Sequence, residues 1–208
     1  MISWRRELRE AAIDYRYLLD RGYSGKPSLD IVVSRYGLSR EERLFLLRCV
    51  HSKKDVESIG NKFGLEEPLI VDGYNIGLTL LNALEGDPIY LCDDGFVRDL
   101  SLGKRKNDVR ILTILNLLAE YLISFRLDYW IVLDSQISRS GEIGSRLREN
   151  NINVKVVNKA DKEIITFSGT AASNDFVILT KAKKVFDVMG IFLLKEVEPI
   201  RFPFDLYF

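Results

Sequence analysis

The chain has 208 residues, of which 47% are hydrophobic and 11% aromatic, a composition typical of a folded protein with a substantial core. Because 30 basic residues balance 30 acidic ones, net charge excludes a global attraction to nucleic acid or to a membrane surface. We expect neither a signal peptide nor a membrane span. Cys49 and Cys92 lack metal-type spacing and are predicted to be buried thiols of a cytoplasmic protein.

Residues 1–66 show helical periodicity. Apolar residues at spacings of three and four predict an amphipathic helix over residues 8–21. Two short helices are predicted next, one over residues 27–37 and one opened by a capping box of Ser39 and Glu42. The corner between these helices resembles a helix-turn-helix, which leaves two interpretations open. One is a DNA-reading module, and the other, which we prefer, is a helical cap that packs on the rest of the chain or on a partner.

From residue 67 onward, short apolar runs alternate with helical periodicity, the pattern typical of βαβ units and a mostly parallel sheet. We therefore predict two domains, a helical one over residues 1–66 and an α/β one over residues 67–208. The predicted strands cover residues 69–72, 89–91, 129–133, 154–157 and 191–194, and the predicted helices between them cover residues 76–84, 109–122, 141–150 and 178–189.

Two of these strands deliver an aspartate at their carboxyl ends, Asp72 and Asp134. Because the carboxyl ends of parallel strands lie at one edge of a sheet, the two acids should converge although they are far apart in sequence. Clustered carboxylates repel one another and are stable chiefly with a bound cation. Magnesium or manganese held by carboxylates serves phosphodiester hydrolysis, since such ions activate water and stabilise the leaving oxygen. The pattern therefore indicates a site for a divalent metal ion.

The run Val71-Asp72-Gly73-Tyr74-Asn75 resembles the first strand of the PIN-like nuclease superfamily, closest to its NYN branch of metal-dependent ribonucleases. With the LCDDGFVRD and SRSGE passages, it is similar to an uncharacterised prokaryotic family, largely archaeal, in which a helical domain precedes a PIN-like domain. The resemblance implies a three-layer sandwich with a mostly parallel central sheet behind a small all-α N-terminal domain. It also implies a carboxylate-bound Mg²⁺ or Mn²⁺ and an RNA substrate of unknown class.

The NYN branch further offers a third acid at a helix start and a fourth acid after a strand. Asp161 and Asp175 lie in segments that are similar to these two motifs. The register of the second motif is open between Asn174 and Asp175, and we favour Asp175. Both Asp161 and Asp175 also have a purely structural interpretation as helix caps. The candidate catalytic and metal-binding residues are thus Asp72, Asp134, Asp161 and Asp175.

Further polar residues lie near the predicted site. Asp94 is an additional candidate metal ligand, although its Asp-Gly pair also predicts a solvated hairpin turn. Candidate phosphate contacts, which also read as solvated surface charges, are Arg98, Lys104, Arg105, Lys106 and Arg139. Candidate supporting residues are Asn75, Ser138, Ser140, Glu142, Thr170, Ser173 and Asn174, with the serines before the predicted helix also readable as caps.

Other chemistries have little support. The single histidine, His51, excludes most Ser-His-Asp, Cys-His and zinc-histidine schemes, and we predict it at the surface. No P-loop, G-x-G-x-x-G or G-x-S-x-G motif occurs. The alternative to a nuclease is a non-catalytic PIN-like module that binds RNA or protein through a degraded site, which Asn174 favours. The apolar end over residues 202–208 either docks on another subunit of a homo-oligomer or closes the core.

Overall fold

The computed structural model describes residues 2–101, 108–193 and 198–203. None of the helices in these ranges combines the length and the apolar character that a membrane span needs. The helices are α1 (Arg6–Asp20), α2 (Gly25–Tyr36), α3 (Arg40–Cys49), α4 (Lys53–Asn61), α5 (Gly73–Leu84), α6 (Ile111–Ser124), α7 (Ser140–Glu149), α8 (Ala160–Thr166) and α9 (Phe176–Lys181). The strands are β1 (Leu69–Asp72), β2 (Ile89–Leu91), β3 (Val97–Asp99), β4 (Tyr129–Asp134), β5 (Val154–Val157) and β6 (Thr170–Ala172).

Four strands form one sheet in the order β5-β4-β1-β6, and every neighbouring pair is parallel. The α/β class with a mostly parallel sheet is therefore confirmed. β1 lies in the interior of the sheet with all four residues buried, which explains its unbroken apolar sequence before Asp72. Since all four strands run the same way, their carboxyl ends share one edge.

Helices cover both faces of this sheet. Val71 and Ile131 point into a core that they share with α5, α6 and α7. Ile70 and Val132, which alternate with them along the strands, point into the opposite core, formed with α8, α9 and Ile59 of α4. The alternation of side chains along β1 and β4 thus divides the apolar residues between two helical layers.

The N-terminal helices α1, α2 and α3 share a third core with the antiparallel β2–β3 hairpin. Tyr90 and Cys92 of the hairpin are buried in it, and the ring of Phe45 lies 5.0 Å from that of Phe202. Phe202 therefore helps to close this core, whereas residues 204–208 lie outside the described ranges. The predicted capping box of Ser39 and Glu42 is confirmed at the start of α3.

The predictions were wrong for residues 182–194 and incomplete elsewhere, whereas the helix predicted over residues 141–150 and the strand predicted over residues 154–157 are confirmed. The helix predicted over residues 178–189 ends at Lys181, because Val185 instead forms bridges with Phe63 and Ala171. In place of the strand predicted over residues 191–194, Met189–Leu193 forms a π-helical turn. Helix α4 and strand β6 were not predicted from periodicity, and α6 begins two residues later than expected.

Gly73 allows α5 to begin directly against β4. A Cβ atom at this position would lie 2.7 Å from Leu133 Cδ2, 2.8 Å from Ile131 Cγ2 and 3.0 Å from the Val132 carbonyl oxygen. We therefore expect Gly73→Ala to destabilise the fold by about 1–3 kcal/mol, the usual cost of overpacking. Gly141→Ala is the control, since nothing lies within 4 Å of its Cβ. Denaturant unfolding should show no loss for the control, and equal stabilities would contradict the packing argument.

Candidate acidic site

A cavity of about 310 Å³ lies at the carboxyl edge of the sheet and is lined by five aspartates. Asp72 ends β1, Asp134 ends β4, and Asp161 lies in the first turn of α8, directly after β5. Asp175 follows β6 and precedes α9. The fifth acid is Asp99 at the end of β3. The structure thus brings together the four aspartates that the sequence and the family resemblance singled out, together with one that they missed.

Asp72 is the most deeply buried of the four predicted acids. Its Oδ2 accepts a hydrogen bond from Ser173 Oγ at 2.8 Å, and its Oδ1 accepts one from the Asn75 backbone N–H at 3.3 Å. Burial raises the pKa of Asp72 to about 7, and the two hydrogen bonds oppose that rise. The charges of Asp175 and Asp161 contribute to the rise and are included in that value. Near neutral pH this carboxyl therefore exchanges its proton readily, and a nearby cation would favour the ionised form.

The other acids are held differently. Asp134 accepts a hydrogen bond from the Gln136 backbone N–H at 2.8 Å. Asp175 caps α9, since its Oδ1 accepts a hydrogen bond from the Val177 N–H at 2.8 Å. Helix α8 has no side-chain cap, so the structure does not support the cap interpretation of Asp161. Asp161 is exposed to solvent on the lining of the cavity.

The structure places Asp175, and not Asn174, on the cavity lining. Asn174 is fully buried, and its backbone carbonyl accepts a hydrogen bond from Arg98 Nε at 2.7 Å. Neither polar atom of its side-chain amide has a hydrogen-bond partner among the residues that the structure describes. Asn174, which suggested a degraded acidic site, is therefore buried and does not line the cavity.

The lining of the cavity fits a hard divalent cation. Besides the carboxylates, Asn75 lines it, and its Oδ1 is a buried acceptor without a hydrogen-bond partner in the described part of the chain. Carboxylate and amide oxygens are the ligands that Mg²⁺ and Mn²⁺ prefer. No three of these aspartates bring oxygens within 4.8 Å of one another in the described ranges. An ion held by these aspartates would therefore keep part of its water shell, as Mg²⁺ commonly does.

Asp94 does not line this cavity, contrary to its prediction as a further ligand of the site. Both of its oxygens accept hydrogen bonds from Arg98, at 2.8 Å for Nη1. With His51 and Asp93 it forms a buried group that could hold a metal, but an ion there would compete with the Arg98 guanidinium for Asp94. The predicted surface position of His51 was wrong. The ring is buried, with Nδ1 2.6 Å from Asp93 Oδ1.

Arg98 does not lie where a surface phosphate contact needs it. It is 1% exposed, and each of its three guanidinium nitrogens already donates a hydrogen bond to Asp94 or to the Asn174 carbonyl. Arg139 is exposed but forms an ion pair with Glu142 at 3.0 Å. Arg139, Glu142 and Ser138 line a different, smaller cavity. The predicted contacts Lys104, Arg105 and Lys106 lie outside the described residues.

Two supporting residues have structural partners. Ser140 Oγ donates to the Asp134 carbonyl oxygen at 2.6 Å, which ties the start of α7 to the end of β4. Thr170 Oγ1 donates to the Glu66 carbonyl oxygen at 2.7 Å, far from the acids along β6. Of the predicted hydrogen-bonding groups, Ser173 and the backbone of Asn75 therefore contact the site directly.

Sequence reasoning missed several polar residues of the cavity, among them Asp99, Thr79, Ser101 and Arg48. Asp99 Oδ2 accepts a hydrogen bond from Thr79 Oγ1 at 2.8 Å, and its Oδ1 accepts one from the Ser101 N–H at 2.6 Å. The rule that selected Asp72 and Asp134 does not apply to Asp99, because β3 pairs with β2 in a separate antiparallel sheet. Arg48 carries no comparable local signal.

The chain belongs to a family whose model is described as a domain of unknown function (DUF5616) and matches residues 65–191. Residues 7–66 match a second model, described as a protein of unknown function (DUF434). The chain is 30% identical over 197 residues to the uncharacterized protein MJ0935 of Methanocaldococcus jannaschii, a match that covers 88% of this chain and 95% of the relative. No solved structure matches the chain. The two matched ranges meet just before β1.

We expect Asp72→Asn to stabilise the metal-free fold at alkaline pH. The native pKa of about 7 exceeds the ordinary value of 3.8, so the native state binds more protons than the unfolded state between these values. Wild-type stability therefore falls as pH rises through this window. At about 1.4 kcal/mol per pKa unit, the advantage of the variant should reach on the order of 4 kcal/mol above about pH 8. Urea unfolding in EDTA at several pH values measures the stability difference between the variant and wild type. A difference that does not change with pH would contradict the raised pKa of Asp72.

We expect Asp94→Asn to be strongly destabilising, because it leaves the buried Arg98 charge without its partner. Removing one member of a buried pair costs about 3–5 kcal/mol. The control is Glu10→Gln, which breaks the exposed pair with Arg6 at 2.7 Å and should leave stability nearly unchanged, because solvent screens such a pair. Denaturant unfolding compares the two variants. Similar small losses in both would show that the Arg98 pair does not stabilise the core.

Proposed function

We propose that this protein is a metal-dependent ribonuclease with a PIN-like α/β domain, which hydrolyses RNA phosphodiester bonds in the acidic cavity. The observation that carries the proposal is the convergence of Asp72, Asp134, Asp161 and Asp175 on one cavity, although more than a hundred residues separate the first from the last. A parallel sheet with helices on both faces supports the PIN-like assignment, since that fold presents its acids at this edge. The proposed compartment is the cytoplasm, and the helices of residues 1–66 are the proposed N-terminal domain.

In this proposal the four aspartates hold Mg²⁺ or Mn²⁺, with Asn75 in support. When bound, such an ion supplies positive charge to the developing charge on the phosphodiester and makes water more acidic. The chain's own part is to orient the carboxylates. Ser173 holds Asp72 through its 2.8 Å hydrogen bond, and Thr79 holds Asp99 in the same way. Such fixed acceptors require little rearrangement when a substrate arrives.

The burial of Asp72 couples metal binding to pH in the proposed reaction. The pKa of about 7 belongs to the metal-free carboxyl, so a cation that binds Asp72 near neutral pH would displace its proton. The Ser173 hydroxyl, which donates to Asp72 Oδ2 and accepts from the Asp175 N–H at 3.1 Å, fixes the carboxyl relative to the start of α9. Two of the proposed ligands are therefore positioned by one serine.

A non-catalytic RNA- or protein-binding module is the second candidate function. It is favoured by the spacing of the acids, of which no three bring oxygens within 4.8 Å of one another in the described ranges. Asn174 no longer favours it, because the cavity is lined by Asp175. A binding module predicts RNA affinity that falls with salt and does not depend on Asp72, without turnover.

Manganese titration by calorimetry and cleavage of a mixed-sequence RNA test the ribonuclease proposal. We expect wild type to bind Mn²⁺ and to cut RNA only with metal, and Asp72→Asn to lose more than about 100-fold in both, since even outer-shell changes cost 10–100-fold. The matched control is Asp128→Asn, an exposed aspartate just before the amino end of β4, which should behave as wild type.

The outcomes separate the two candidates. Full cleavage by Asp72→Asn would rule out the proposed site. Absence of metal binding in both proteins, with RNA affinity retained, would favour the binding module. Because Asp72→Asn is expected to be the more stable protein at alkaline pH, unfolding would not explain a loss of cleavage there.

A further inference from the structure

Helix α3 lines two adjacent cavities with one of its faces. Arg48 lines the acidic cavity, and Arg40 and Leu44 line a second cavity of about 440 Å³. Residues four apart share a helix face, so these three side chains form one row along α3. The two cavities also share Asp99 and Ser101 in their linings. The N-terminal helical part of the chain therefore forms a wall of the acidic cavity and of its neighbour.

Among the residues that the structure describes, Arg48 is the one positively charged side chain that lines the acidic cavity. Its Nε is buried and has no hydrogen-bond partner in those ranges, although five aspartates line the same space. A buried donor without a partner is costly, and native structures rarely keep one without a ligand, a water or a function. Arg48 thus has donors that no described carboxylate uses.

We propose that Arg48 binds a phosphate of the RNA substrate in the acidic cavity. This inference rests on the proposed function and adds a substrate contact from the part of the chain that precedes the sheet. An RNA strand carries negative charge into a space lined by carboxylates, so its phosphate needs a partner of opposite charge there. A guanidinium suits that task, because its planar donors match phosphate oxygens in pairs.

The proposal is specific to Arg48 among the arginines of α3. Arg43 lies on the same helix but pairs with Asp30 at 2.7 Å at the surface. Arg40 is exposed and lines only the second cavity. Arg48 alone of the three contributes to the cavity that holds Asp72.

Two titrations on the full-length protein test the inference, with Arg48→Gln as the variant and Arg43→Gln as the matched control. Fluorescence anisotropy of a short labelled single-stranded RNA in Ca²⁺ buffer gives the RNA affinity. Calorimetry gives the Mn²⁺ affinity. We expect Arg48→Gln to weaken RNA binding about tenfold or more, the loss typical of a hydrogen bond to a charged group. Its salt slope should fall by about one.

The Mn²⁺ titration distinguishes the loss of a phosphate contact from a general disruption of the cavity. Removing a positive charge beside carboxylates lowers the repulsion on a cation, so Arg48→Gln should bind Mn²⁺ as tightly as wild type or more tightly. Arg48→Lys keeps the charge but loses the planar donors, and it should recover part of the RNA affinity. Arg43→Gln should match wild type in both titrations.

Several results would overturn the inference. These are equal RNA affinity in wild type and Arg48→Gln, an equal loss in Arg43→Gln, a parallel loss of Mn²⁺ and RNA binding in both Arg48 variants, or no RNA binding by wild type. If RNA binding depends on Arg48 but wild type does not cleave, the phosphate contact stands and the nuclease proposal fails. If wild type cleaves RNA and Arg48→Gln binds RNA as tightly as wild type, the nuclease proposal stands and the phosphate contact fails.

Discussion

The buried guanidinium of Arg98 is the interaction on which the site most depends. From β3 it bonds Asp94 in the hairpin turn and the carbonyl of Asn174, the residue between Ser173 and Asp175. Removing a charge from water is expensive, so such an arginine is stable only when its partners are fixed in place. The loop that orients Asp72 and carries Asp175 is thereby held to the hairpin by a strong, directional contact.

The same hairpin is also bound to the N-terminal helices. Asp93, the neighbour of Asp94, accepts hydrogen bonds from the His51 backbone N–H at 2.7 Å and contacts the His51 ring. The ring stacks on Phe176 at the start of α9, with 3.9 Å between centroids. A few buried polar groups therefore set the positions of α3, the hairpin and α9 relative to one another. That arrangement is what places Arg48 opposite the aspartates.

Much of the fold and part of the site could be predicted because their signals are local. The apolar runs before Asp72 and Asp134 are long enough to identify buried strands, and parallel pairing then brings their ends together. Strand β6 could not be found this way, since Thr170–Ala172 is three residues long and has no apolar alternation. His51 and Arg98 were misplaced because their burial depends on partners, Asp93 and Asn174, 42 and 76 residues away.

The core that α1, α2 and α3 share with the hairpin has an evolutionary consequence. A chain cut at the junction of the two matched ranges would leave Tyr90 and Cys92 facing water in one half and would remove Tyr90 and Phe202 from Phe45 in the other. Exposed apolar patches of this kind promote aggregation. Gene fission between the two ranges would therefore be selected against, which gives a physical reason for both to persist in a single polypeptide.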